Sequence, residues 1–374
     1  MSSSNCLIRL LLIILTQLNP GPAGAGQNYR MTLDAQSFQA NNAVSINQFD
    51  GDFLEYRADS PRLHALLENS AHIRAEKSGF ALQLYKRQEA FLSASSATAQ
   101  LYSDINSSLV RSITRSYPLQ FQGYGIEQTG LGFEKRIETA SIARERPAHL
   151  AAQVRVYNID RYREVQVDGF AEARAPGSYS AAVVAVDRNS RQDEPGVQNS
   201  GKGGVGYGLD LGGRLPVGSR LDLVAEFRDL FNTNRISSLP AKRQSLQGSV
   251  VVGSLLSLLR PLPEVQSQLA AERYSFRLPV KSTVGFDYLV NQPYLHEFGF
   301  RARKIEDLTL TRFSLSWRNP VRFLPELEIG YESHFQSIDV LTRFGFGGLR
   351  IGADSLDDEK RRVEYLQIFF NADI

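Results

Sequence analysis

Apolar and polar residues alternate one for one along most of the chain, and residues 202–228 show the pattern most fully. Val205, Tyr207, Leu209 and Leu211 fall on one side of an extended segment, with Gly206, Gly208 and Asp210 on the other. A turn through Gly213, Pro216 and Gly218 follows. Leu221, Leu223, Ala225 and Phe227 then alternate with Asp222, Val224, Glu226 and Arg228. Strand side chains point to opposite faces with period two, so the predicted hairpin has one apolar and one charged face. In a soluble sandwich the charged face meets water outside; in a transmembrane barrel it lines the lumen.

The pattern recurs on both sides of this hairpin. Strands are expected at 80–84, 92–101, 119–127 and 131–137. Leu150, Ala152, Val154 and Val156 form a further strand, residues 158–162 a turn, and Val165, Val167, Gly169 and Ala171 a return strand. Glu164, Gln166, Asp168, Glu172 and Arg174 interleave with that return, a row costly in a dry core and ordinary in a wet lumen. Toward the C-terminus, Asp287, Glu297, Arg301, Arg303, Glu326, Glu328, Glu332 and Arg343 alternate with aromatic and aliphatic residues. With Asp210, Asp222, Glu226 and Arg228 they make up the candidate lumen lining, in which opposite charges on neighbouring strands pair.

Two stretches break the alternation. Ser60 and Pro61 read as a helix start, with Leu63, Leu66 and Leu67 at helical spacing, so residues 26–75 are expected to hold an amino-terminal arm and a short helix ending near Asn69. Residues 229–273 read as a long loop with helical turns, and helical segments of this kind would plug or cap the lumen. The fold expected is thus all-β, a transmembrane antiparallel barrel of about 14 strands, since such barrels are even-numbered. With both termini periplasmic, the loops at 229–273 and 354–362 fall outside and the 212–219 turn inside.

The termini agree with export. Residues 1–25 combine a polar start, an apolar run broken by Arg9 and a small-residue site at Ala23, Gly24 and Ala25, the pattern of a cleaved signal peptide. Residues 26–374 then form a single barrel without a thiol, because Cys6 is the only cysteine. At the other end Leu366, Ile368, Phe370 and Ile374 alternate with polar residues in the manner of a membrane-insertion signal, read by the barrel-assembly machinery.

Charge and motif content narrow the chemistry. Forty-two Lys and Arg against 40 Asp and Glu, mixed in sign, leave no basic stripe for nucleic acid. Gly196 to Lys202 imitates a phosphate loop, but a strand rather than a helix follows, and Gly203 replaces the hydroxyl residue. No cofactor or metal is expected: His64, His72, His149 and His296 lack ligand spacing. Ser333 and His334 are sequence neighbours that would face opposite sides of a strand, so a catalytic pair, and with it an enzyme, is not expected.

Residues 206–232, and 277–290 with the sequence RLPVKSTVGFDYLV, resemble strands of the long-chain fatty-acid transporter superfamily, which includes TraF-like barrels of conjugation systems. The family's amino-terminal Asn-Pro-Ala signature and glycine-rich hatch have no counterpart in residues 26–75. The resemblance implies an outer-membrane barrel in contact with lipid that passes or gates a small or hydrophobic solute. The alternative is a non-conducting interaction barrel with protein partners in an envelope assembly, conjugation or secretion system.

Overall fold

Seventeen strand segments and one helix make up nearly all of the regular structure among the described residues. They are described for residues 29–44, 46, 60–106, 115–139, 147–175, 178–191, 203–252, 259–261, 265–290, 292, 295–318, 325–357 and 359–373 of a computed structural model. In chain order they are β1 (Arg30–Asn41), β2 (Arg62–Lys77), β3 (Phe80–Ser95), α1 (Ser96–Asn106), β4 (Arg115–Thr139), β5 (Ala148–Ala175), β6 (Ser178–Asn189), β7 (Gly204–Val217) and β8 (Leu221–Val252). There follow β9 (Leu259–Pro261), β10 (Val265–Phe276), β11 (Lys281–Leu289), β12 (Leu295–Ile305), β13 (Leu308–Trp317), β14 (Glu326–Glu332), β15 (Ser337–Phe344), β16 (Gly347–Ala353) and β17 (Val363–Asp373).

Every pairing is antiparallel, and β1 closes the sheet by pairing with β17 on one side and β2 on the other. β6 and β7 occupy one position, because β5 and β8 each pair with both. Likewise β9, β10 and β11 follow one another along β8. The result is a closed 14-stranded barrel. Closure leaves no unpaired edge in lipid, the condition for a sheet to cross a bilayer.

The outer face of many of the staves is greasy and exposed. Phe80, Leu82 and Leu84 on β3, Phe133 on β4 and Val154 on β5 stand on this outer face, between lumen-facing Gln83, Tyr85 and Arg87. The belt ends outward at Glu127, with which Lys86 and Arg161 each pair, and inward near Lys135, whose ammonium lies 3.5 Å over the Phe80 ring. An exposed apolar band bounded by charges is a lipid-facing surface. This is a membrane-spanning barrel of the outer-membrane type.

The wall is uneven. β4, β5 and β8 have 25, 28 and 32 residues, whereas β14, β15 and β16 have 7, 8 and 7, so one side rises far above the other. The helix α1 packs Ala97 and Leu101 against Tyr117, Leu119, Ala171 and Ala181 of the tall side.

Three expectations are corrected. The helix expected from Ser60 to Asn69 is strand β2, in unbroken register with β1 and β3. Its leucines mimic helical spacing because Leu66 points inward to Phe91 and Ile305 while Leu63 lies on the other face against Ala94. Residues 229–273 are no insertion: β8 runs through to Val252 and β10 resumes at Val265, while 253–258 and 262–264 lie outside the described residues. Alternation is blurred there by a bulge at Asp229, whose φ is +57°. The turn expected at 158–162 is also a bulge, one residue long at Asp160, within continuous β5.

Leu366, Ile368 and Phe370 lie on β17 opposite Ser37, Ala35 and Leu33, whereas Ile374 is outside the described residues. So are residues 1–28, with the signal peptide and Cys6, and residues 192–202, with most of the phosphate-loop look-alike. Strand β7 follows that look-alike.

Candidate functional site

The lumen is crossed at mid-height by ion pairs between staves that are not neighbours in the wall. Asp229 of β8, fully buried, accepts hydrogen bonds from Arg155 of β5 at 2.6 Å and Arg87 of β3 at 2.9 Å. Arg155 also donates to Asp210 of β7 at 2.8 Å, and Asp210 in turn accepts the backbone N–H of Asp229 at 2.7 Å. Arg87 contacts Glu89, Lys281 of β11 joins Glu89 to Glu68 of β2, and Arg303 of β12 grips both oxygens of Glu68. Four cations thus meet four carboxylates in one connected partition, which satisfies most of its own charge. The left-handed backbone at Asp229 turns its carboxylate toward the guanidinium pair. Aspartate is among the few residues that tolerate that conformation.

A second cluster braces the short wall. Glu328 of β14 accepts from Arg312 of β13 at 2.8 Å, Arg343 of β15 at 2.6 Å and Arg350 of β16 at 2.9 Å, while Asp339 takes two further bonds from Arg312. Between this cluster and the partition, Arg301 pairs with Asp287, and Arg214 with Asp222. Periplasmic to the partition lies a polar cavity of about 770 Å³.

Of the residues expected to line the lumen, Asp210, Arg303, Asp287, Arg301, Asp222, Glu328 and Arg343 enter these ion pairs. Glu226 and Arg228 line the polar cavity, and Glu297 shares the inner face of β12 with Arg301 and Arg303. Glu326 pairs with Arg318 at the exposed periplasmic mouth. Glu332 sits apart: it accepts the backbone N–H groups of Thr311, His334 and Phe335 and so caps the β14–β15 turn that holds Ser333 and His334. Sequence reasoning missed Glu68, Arg87, Glu89, Arg155, Asp229 and Lys281. The alternation of Tyr85, Arg87 and Glu89 was the available signal on β3; nothing in the sequence marks the Asp229 bulge.

Outside the partition the lumen changes character. A pocket of about 340 Å³ is lined by the rings of Phe91, Tyr124, Tyr162, Tyr274 and Phe276, with Gln122, Glu164, Gln166 and Glu306 among them. Tyr162 stacks on Phe276 at 4.0 Å between centroids. Glu164 holds this group in place, accepting from the Tyr274 hydroxyl at 2.5 Å, the Tyr162 hydroxyl at 3.1 Å, Gln166 at 2.9 Å and Arg188 at 3.4 Å. Arg188 also bonds Glu272 at 2.8 Å and lies 4.6 Å over the Tyr274 ring.

The same apolar cluster reaches a break in the wall. Pairing of β5 stops with β7 at Ile159 and restarts with β6 at Arg163; pairing of β8 stops with β7 at Arg235 and restarts with β6 at Ala241. Ile159, Ile236 and Leu239, all essentially fully buried, lie beside the break and pack in one cluster with Tyr162 and Leu278, while Ser190 bonds the backbone of Tyr162 there. Pro240 closes this stretch of β8, where no β6 or β7 carbonyl needs its missing N–H.

The outer mouth is covered by the β12–β13 turn. Ile305 and Leu308 pack on Leu66 and Phe91, and Asp307 receives Arg62 and, at 3.2 Å, the Ser93 hydroxyl, with His64 Nε2 at 3.4 Å. Burial works to raise the Asp307 carboxyl, but the bonds from Arg62 and His64 outweigh it and hold the group below the usual carboxylate range. Burial, then the Asp307 charge, push Glu306 the other way.

No family model matches the sequence, and no curated protein does. Solved structures do. The toluene transporter TodX of Pseudomonas putida is 10% identical, over 94% of this chain and 91% of that one, with a TM-score of 0.42. A deletion mutant of TodX, titled a monoaromatic hydrocarbon channel, is 9% identical over the same shares, with a TM-score of 0.45. The toluene transporter TbuX of Ralstonia pickettii is 8% identical over 93% and 90%, with a TM-score of 0.25. At such identities the resemblance is one of barrel architecture.

Proposed function

We propose that this barrel sits in a bacterial outer membrane and passes a small hydrophobic solute. The solute is captured in the aromatic pocket and leaves sideways through the β6–β7 break. One observation carries the reading: the pocket lies between an axial route filled by paired charges and a wall break beside which, among the described residues, the apolar side chains of Ile159, Ile236 and Leu239 are packed and no ion pair stands. An apolar molecule would have to separate buried ion pairs to go straight through, a step costing several kcal/mol, whereas displacing Ile159, Ile236 and Leu239 breaks no such pair. The solutes named for TodX and TbuX, toluene and monoaromatic hydrocarbons, are of a size that a 340 Å³ pocket accommodates.

The test is entry of radiolabelled toluene into intact Gram-negative cells with and without the barrel, since the outer leaflet rather than the phospholipid is the barrier. The barrel is expected to accelerate entry several-fold, and filling the pocket by Gln122→Trp to abolish the gain. Equal rates with and without the protein would sink the proposal. A second reading, a non-conducting interaction barrel, draws on the same closed partition; it requires no acceleration and stable co-purification of an envelope protein.

A further inference from the structure

The outer face of β8 and β10 carries cations that the ion-pair networks leave out. Tyr274 and Phe276 point into the pocket, so Arg273, Ser275 and Arg277 fall on the opposite, lipid-side face, and all of them are exposed. Arg235 of β8, also exposed, is the register partner of Ser275 and so stands between Arg273 and Arg277. Among the described residues none of Arg235, Arg273 and Arg277 is in an ion pair; Glu272 faces the other way, toward Arg188 and Arg243. Elsewhere along the outward end of the belt the exposed arginines are matched, Arg161 with Glu127 and Arg163 with Asp187. Like charges on neighbouring strands repel, so the patch favours an anion from outside the chain.

Register fixes the height of the patch. Arg235 pairs with Val205 and Val205 with Asn158, close in β5 to Arg161 at the belt's outward end. Toward the periplasm the same face continues as apolar belt, with Tyr207 57% and Phe231 68% exposed. A guanidinium presents parallel donors that match phosphate oxygens, and basic residues at a bilayer surface recognise anionic headgroups. We propose that Arg235, Arg273 and Arg277 bind a phosphate of an acylated glycolipid in the outer leaflet, the chemistry of lipid A, with its acyl chains lying over Tyr207 and Phe231. A phosphomonoester carries about −1.5 to −2 charge near neutral pH, more than the phosphodiester of a phospholipid. A free phosphate makes no use of the apolar surface below. The site is independent of what crosses the lumen.

The experiment is native mass spectrometry of the folded barrel in detergent and chelator, titrated with lipid A, with the same lipid stripped of its phosphates, and with phosphatidylglycerol. It is repeated with Arg235→Gln, Arg273→Gln and Arg277→Gln combined. Lipid A is expected to stay on the wild-type barrel, and the phosphate-free lipid and the triple variant to bind about a hundred-fold more weakly, the combined worth of three basic residues at an anionic surface. Arg273→Gln alone is expected to weaken binding about five-fold and keeps the test open even if the triple variant fails to fold. Millimolar inorganic phosphate is expected to leave the bound lipid in place. Equal binding of the phosphorylated and phosphate-free lipids, equal binding of phosphatidylglycerol, undiminished binding by the arginine variants, or displacement by inorganic phosphate would each overturn the proposal.

Discussion

Replacing Asp229 by Asn tests the partition at its most buried point. Asparagine has nearly the same shape and tolerates the left-handed backbone that Asp229 adopts at φ +57°, so the change removes charge and little else. Two guanidiniums, those of Arg87 and Arg155, would lose the carboxylate they share at 2.9 and 2.6 Å. Removing one partner of a buried pair costs about 3–5 kcal/mol. Glu89 and Asp210 still face the two arginines, which places the expected loss near the lower end, about 3 kcal/mol. With urea m-values of about 1–3 kcal/mol/M, the unfolding midpoint should fall by roughly 1 M or more. Gel-shift titration of folded against unfolded barrel in urea measures this directly. Asp229→Ala should lose about 1–2 kcal/mol more, because alanine pays for the left-handed backbone as well. An Asn variant with an unchanged midpoint would refute the claim that Asp229 ties the partition together.

Three other outcomes follow from the same geometry. Glu328→Gln withdraws the carboxylate shared by Arg312, Arg343 and Arg350, and is expected to cost about 3 kcal/mol and to raise hydrogen exchange in β14–β16, read by mass spectrometry. Leu239→Ala opens a cavity in the β6–β7 break; it should destabilise by about 2–5 kcal/mol yet speed toluene entry into cells, and slower entry would argue against a lateral exit. Asp307 has a carboxyl held below its unfolded value, so the stability it lends the β12–β13 turn is complete above pH 4 or so and lost as pH falls through the folded pKa. Amide exchange at Glu306 and Asp307 should stay slow down to about pH 4 and quicken only below it.

The barrel was legible wherever alternation continued, and the hairpin at β7–β8 fell where it was expected. β2 was not, because Leu63, Leu66 and Leu67 serve both faces of a strand and thereby imitate a helix. The outer half of β8 was obscured by the Asp229 bulge, which interrupts the register between Phe227 and Phe231 and so hides the residue on which the partition turns. Most of the C-terminal charges were found because they stand next to large apolar residues on their strands. Arg155, between Val154 and Val156, had the same signature, whereas Arg87 and Glu89 stand beside polar residues; the significance of all three depends on partners more than 50 residues away, and spacing along one strand carries no record of that. The aromatic pocket assembles from β3, β4, β5, β10 and the β12–β13 turn, and was invisible for the same reason.

Single-channel recording of the purified wild-type barrel in planar bilayers tests the closed partition most directly. Four cations and four carboxylates joined across the lumen predict a folded protein that carries no steady ionic current, with current appearing in Asp229→Asn. A stable, ohmic pore conductance from the wild-type protein would contradict it.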